Sequence, residues 1–203
     1  MSLRQSDLED DLKEAFATMQ DDADFARLVS AAVARYAESG DITTTDAGQV
    51  SAGTFSGSGT GKISIDSSVC EGILVSATDS MKSMTSGGDA LLAGQLAAGI
   101  DAMMAAGTVT TEVSGTATPP PPATPVALVG KAEKKGGFVG VSATIQTAMA
   151  ACFSAMSGMT EGGDDFFAVQ LATAVTAYLK AGIISTVGIE QLLGSTGSGV
   201  GIM

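Results

Sequence analysis

The sequence predicts a mainly α domain with minor β structure: three repeated helical hairpins, each followed by a Thr/Gly-rich extended, strand-like arm, packed round a shared core. Three observations lead there: an internal repeat, apolar stripes at helical spacing, and β-branched runs that follow a glycine in each copy. The repeat is plainest between Met84-Thr85-Ser86-Gly87-Gly88-Asp89 and Met159-Thr160-Glu161-Gly162-Gly163-Asp164. Its register continues without a gap through Ala93/Ala168, Gln95/Gln170, Leu96/Leu171, Gly107/Gly182 and Thr111/Thr186. A more divergent copy precedes them, since Gly40-Asp41-Ile42-Thr43-Thr44 matches Gly107-Thr108-Val109-Thr110-Thr111. The units divide at 1–65, 66–140 and 141–203 and together make one compact domain.

Each unit opens with a helix. Leu8, Leu12, Phe16 and Met19 form its stripe in the first copy, Ile73, Ala77, Met81 and Met84 in the second, and Ala148, Cys152, Met156 and Met159 in the third. Those spacings place each set on one face. Ser6-x-x-Glu9 and Ser68-x-x-Glu71 have the form of capping boxes. A second helix follows a short turn, with Phe25, Val29, Val33 and Tyr36 matching Leu92, Leu96, Ile100 and Met103, and then Phe167, Leu171, Val175 and Tyr178. Asp22, Asp89 and Asp164 open it, where a carboxylate complements the helix dipole and caps free amides. Gly40, Gly107 and Gly182 stand where a left-handed glycine would end it.

The arms begin with β-branched runs: Ile42-Thr43-Thr44-Thr45, Val109-Thr110-Thr111-Glu112-Val113 and Ile183-Ile184-Ser185-Thr186-Val187. Gly57, Gly59 and Gly61 in the first arm correspond to Gly197, Gly199 and Gly201 in the third. The second arm instead carries Pro119 to Pro122, Pro125 and the basic run Lys131-Ala132-Glu133-Lys134-Lys135, read as a solvated loop. These glycines and the lysines Lys131, Lys134 and Lys135 are the candidate partner contacts, the glycines as flexible arm tips and the lysines as the basic cluster of an acidic protein.

The 203 residues carry 10 Lys+Arg against 22 Asp+Glu, with no His and no Trp. A net charge of −12 makes nucleic acid a poor partner, because phosphate binding runs on Lys and Arg. Without His, the commonest acid–base group and zinc ligand is absent. The segment Gly57-Ser58-Gly59-Thr60-Gly61-Lys62-Ile63 fails as a phosphate-binding loop. Ser56 stands where the first glycine is needed, and Ile63 replaces the magnesium-binding hydroxyl. Asp21, Asp22 and Asp24 lack the spacing of a calcium loop. Cys70 and Cys152 take positions that are apolar or small in the other copies, so both read as core thiols without a base. Gln95 and Gln170 fall on an apolar face, where an amide bonds to neighbouring backbone. No cofactor, metal, catalytic residue or membrane partner is expected. The uncharged stretch from Gly136 to Thr160 reads as a strand and a buried helix rather than a membrane span. The acidic start lacks the basic and apolar blocks of a signal peptide, so the chain is expected to be made inside the cell rather than secreted by one.

The order of helix, tyrosine (Tyr36 or Tyr178), glycine, Thr/Val run, optional proline tract and Gly-Ser-Gly-x-Gly resembles small phage and prophage virion-associated proteins. The resemblance implies a structural or assembly role in a bacterial host cytoplasm or a virion, through contacts with other virion proteins or with further copies of the chain. It supplies no catalytic residue. The expected function is thus a non-enzymatic structural or assembly protein, with a helical adaptor for a peptide or small apolar ligand as the alternative.

Overall fold

Six segments carry apolar residues at helical spacing, and these are the helices. A computed structural model describes residues 3–50, 53–118, 126–188 and 195–203. Along the chain run α1 (Gln5–Thr18), α2 (Asp22–Ser39), β1 (Ile42–Val50), β2 (Gly53–Ser64), α3 (Ser68–Met81) and α4 (Gly88–Ala106). There follow β3 (Thr108–Thr118), β4 (Val126–Val139), α5 (Ala143–Met156), α6 (Gly163–Ala181), β5 (Ile183–Gly188) and β6 (Ser195–Val200). The order helix, helix, strand, strand therefore occurs three times. The Pro119–Pro122 and Pro125 tract lies outside the described residues.

The expected fold class is overturned at the arms. They are not minor β structure. All six strands pair antiparallel with their neighbours and β1 closes onto β6, making a six-stranded barrel. Thr45 pairs Ser198 and Asp46 pairs Gly197 across that seam. The helices form a second closed layer, for each packs on its chain neighbours and α1 packs on α6. Gln5 Nε2 donates to Thr173 Oγ1 at 2.8 Å where that ring closes. The domain is thus a helical ring stacked on a barrel, with each second helix running straight into a strand.

The barrel escapes a hydropathy reading because its inward positions are mostly glycine and threonine. Burial alternates with period two along β3 and β5, as a one-sided strand requires. Nearest the helices the interior is apolar, with Ile42, Ile63, Val109, Phe138, Ile184 and Ile202 joined to the helical core. Next comes a polar layer of Thr44, Asp46, Thr111 and Thr186, all at most 3% exposed. Phe55, Val113 and Ala117, also buried, continue the interior. A six-stranded barrel is narrow, so its walls stand close.

That narrowness gives the glycines their role. A methyl group at Gly59 would lie 2.5 Å from Thr44 Oγ1 and 3.0 Å from Asp46 Oδ2. At Gly197 it would strike Asp46 and Thr186, and at Gly57 and Gly61 the backbone of β3. Gly199 faces the Thr43 carbonyl, and Gly201, at φ +75°, faces that of Lys180. The glycines are packed wall positions, correcting the expectation of flexible tips.

The helix-ending glycines also differ from expectation. Gly40, Gly107 and Gly182 are extended, with φ of −70°, −65° and −67°, so none supplies a left-handed cap. What each supplies is room: Gly107 lies against Ile63, Gly182 against Phe138, and Gly40 against Ile202 and Leu3. In every repeat the end of the second helix is seated on the last strand of the preceding β-hairpin, and the third hairpin serves the first repeat. At the helix ends the left-handed glycines are instead Gly87 (φ +82°) and Gly162 (φ +73°), which precede α4 and α6. In the first repeat the shorter turn is handled by Asp21, whose side chain accepts from the Asp24 amide at 2.8 Å. Such a cap contributes about 1 kcal/mol. Asp22, Asp89 and Asp164 lie in the first turns.

Neither capping box forms. Arg4 and Ser67 occupy the N-cap positions without side-chain bonds. The buried face of the first helices is also rotated by one residue in two copies, to Cys70, Leu74 and Ala77 and to Ile145, Met149 and Cys152. The second helices are buried more widely, as in Phe167, Ala168, Leu171, Ala172, Val175, Tyr178 and Leu179 of α6. They lie innermost: Tyr36 bonds Thr176 at 2.9 Å and Tyr178 bonds Asp101 at 2.6 Å, linking α2 to α6 and α6 to α4. No helix among the described residues is long and apolar enough to cross a membrane.

Candidate functional site

The predicted contact residues do not form one surface: Gly59 and Gly197 meet at Asp46 inside the barrel, whereas the lysines lie on another strand. Lys131, Lys134 and Lys135 belong to β4 rather than to a loop, with Lys134 paired to Thr111 and Gly188, and Lys135 to Thr110 and Val187. Gly57, Gly59 and Gly61 lie in β2, Gly197 and Gly199 in β6, and Gly201 just beyond it. Barrel closure leaves these strands paired on both sides, so among the described residues they offer no open sheet edge to a partner. Lys62 reaches back to the Ser39 carbonyl at 2.7 Å and the Asp41 carboxylate at 2.9 Å, a surface tie between β2 and the end of α2.

The remaining candidates are internal. Burial pushes the Cys70 thiol up to about 11, and a methyl group at Gly99 would lie 3.0 Å from its sulfur. Cys152, also raised by burial, lies 3.6 Å from Met156 Sδ. A thiol held protonated in apolar surroundings is a poor nucleophile. Gln95 and Gln170 are half-buried, and the backbone bond expected of them is not made among the described residues. Among those residues no group of three or more Cys, Asp or Glu is placed to hold a metal ion.

Two surfaces that the sequence reading missed stand out. The first is on the barrel's outer face. Val139 pairs Ile183, and Ile183 pairs Val200, so the three side chains form a row across β4, β5 and β6. They are 65%, 59% and 71% exposed. Val187, two outward positions along β5 from Ile183, and Val141, beyond β4, are exposed as well. Thr43, Thr45, Ser58 and Ser198 continue the face as a shallow groove beside Ile183 and Val200.

The repeat shows that this row is not demanded by the fold. Each second helix ends in a glycine, and the residue after it is Asp41, Thr108 or Ile183. Asp41 makes its ion pair with Lys62, one step beyond the Ile42–Gly61 pair. The same step in the third hairpin, beyond Ile184–Gly199, is Ile183–Val200. Likewise the junction that reads Val139–Ile183 reads Ser64–Thr108 between the first two repeats. Water-facing pairs in two settings are apolar in the third. The signal was present in the sequence, but the register needed to align Lys62 with Val200 is a tertiary fact.

The second surface is at the far end of the helical ring, where first helices end and second helices begin. Phe16, Phe25, Leu92, Phe153, Met156 and Phe167 line a cavity of about 150 Å³. Its rings are in mutual contact, with centroids 5.5 Å apart for Phe16–Phe167 and 5.6 Å for Phe153–Phe167. The chain matches no protein-family model, no curated protein and no solved structure with which it was compared.

Proposed function

We propose that the chain is a non-enzymatic structural or assembly protein that works by protein–protein contact, with the outer face of β4, β5 and β6 as its main contact surface. The reading rests on one observation: the row Val139, Ile183 and Val200 is exposed where the equivalent junctions carry Ser64, Thr108, Asp41 and Lys62. An apolar row that the fold does not need costs solubility and is retained where a partner covers it. Burying such side chains contributes on the order of 1.5–3 kcal/mol each. The resemblance to phage virion-associated proteins supplies the setting, a virus particle or its assembly in the host cytoplasm.

The test rebuilds the polar pair of the first repeat in the third. Ile183→Asp with Val200→Lys replaces two exposed side chains, so the fold is retained. Wild-type protein is expected to self-associate in light scattering after size exclusion, or to retain a defined partner. The double variant is expected to be a monomer that retains none. A wild-type chain that is strictly monomeric and recruits nothing, or a variant that associates unchanged, overturns the reading.

A further inference from the structure

We propose that the phenylalanine cavity at the far end of the helical ring is a docking cup for a basic amphipathic helix, which inserts one large apolar side chain. This surface is separate from the barrel face. The first observation is that Met19, Met84 and Met159, equivalent in the three repeats and each at a turn between helices at this end, are 38%, 40% and 39% exposed, and Met19 lines the cavity. Met156 and Phe16 line the cavity together with Phe25, Phe153 and Phe167. Unbranched, polarizable methionines re-pack around differing side chains and suit a surface that closes on an incoming group.

The second observation is charge. Asp89, Glu161, Asp164 and Asp165 stand exposed around this end and make no ion pair among the described residues, and Asp164 lines the cavity itself. The neighbouring cations are already engaged, Lys82 with Asp79 and Asp22, and Arg27 with Asp24. An apolar floor inside an acidic rim complements Lys and Arg flanking an apolar anchor. A second copy of this chain would bring the same acidic rim and be repelled.

The probe is a fluorescent 18-residue helical peptide of Leu and Lys with one Phe on its apolar face, followed by anisotropy against the full chain. Three controls accompany it: the same pattern with Glu for Lys, a Lys/Gly peptide of equal charge, and the chain carrying Met19→Ser, Met84→Ser and Met159→Ser. Saturable binding of the Leu/Lys peptide is expected. Affinity should fall at least tenfold in the methionine variant, with a further loss on Asp164→Asn and Asp165→Asn. Neither control peptide should compete. Circular dichroism and thermal unfolding confirm that the variants fold. Binding by Ile183→Asp with Val200→Lys should be unchanged, which separates this surface from the barrel face. Absent or non-saturable binding, equal binding of the Lys/Gly peptide, or an affinity that survives the methionine changes overturns the proposal.

Discussion

The phenol of Tyr178 donates to Asp101 Oδ1 at 2.6 Å, joining α6 to α4 inside the helical ring. The same ring packs on Phe138 at 5.5 Å, and Gly140 has no room for a side chain because Tyr178 occupies it. One residue thus couples two second helices to the start of the barrel. A hydrogen bond to a carboxylate contributes about 1.5–3 kcal/mol, against about 1 kcal/mol for a neutral pair. Tyr178→Phe should therefore lower unfolding free energy by about 2 kcal/mol in urea titration. Tyr36→Phe, which loses only Thr176, should cost about half that. Equal losses would remove the special role of Asp101.

Alkaline pH should destabilise the fold. Burial raises the Tyr178 phenol well above its ordinary value, and the Asp101 charge adds to this; burial also raises Tyr36 and takes Cys70 from 9.0 to about 11. Groups raised in the folded state give up protons more easily when unfolded. Their stabilisation is complete below the unfolded values and is lost as pH rises through the folded ones. Stability should be level near neutrality, fall from about pH 9 with the thiol, and fall more steeply above about pH 10 with the phenols. Denaturation midpoints from pH 7 to 11.5 would measure it, and Tyr178→Phe should flatten the upper part.

Glycine-to-alanine changes should separate the wall glycines from ordinary ones. At Gly59 and Gly197 the added methyl meets Thr44, Asp46 or Thr186 inside a closed barrel, an overpacking cost of about 1–3 kcal/mol. Gly72, within α3, has nothing within 4 Å. Gly72→Ala should stabilise by about 0.5–1 kcal/mol through helix propensity. Thermal unfolding of the three variants should move in opposite directions, and a neutral Gly197→Ala would refute tight packing there.

The buried hydroxyls of Thr111 and Thr186 make no hydrogen bond among the described residues. An unsatisfied buried polar group costs about 1–3 kcal/mol. Replacing it by a methyl of similar shape removes that cost, so Thr186→Val should raise stability by about 1 kcal/mol. Thr44→Val should not, because it loses the 2.9 Å bond to Asp46.

Comparison of these positions shows where the amino-acid order was informative. The helices announced themselves because Leu8/Leu12 and Leu96/Ile100 recur at helical spacing, and that periodicity is a local property. The barrel did not, because its buried face reads Gly57, Gly59, Gly61 along one strand and Thr111 and Thr186 along others. Hydropathy alternation is the usual strand signal, and a narrow barrel replaces it with an alternation of size. The contact surfaces were hidden for a related reason. Neither the pairing of Val139 with Ile183 and Val200 nor the gathering of Met19, Met84 and Met159 at one end can be read along a single segment.

By itself, the sequence determined the threefold repeat, the helical segments and the −12 charge. Only the tertiary structure decided that the arms close into a barrel, since β1 of the first repeat and β6 of the third are brought together. It likewise decided that Gly40, Gly107 and Gly182 supply space rather than handedness. The physical reason is that periodicity and charge are carried by neighbouring residues, whereas closure, close approach and exposed rows depend on which distant walls meet.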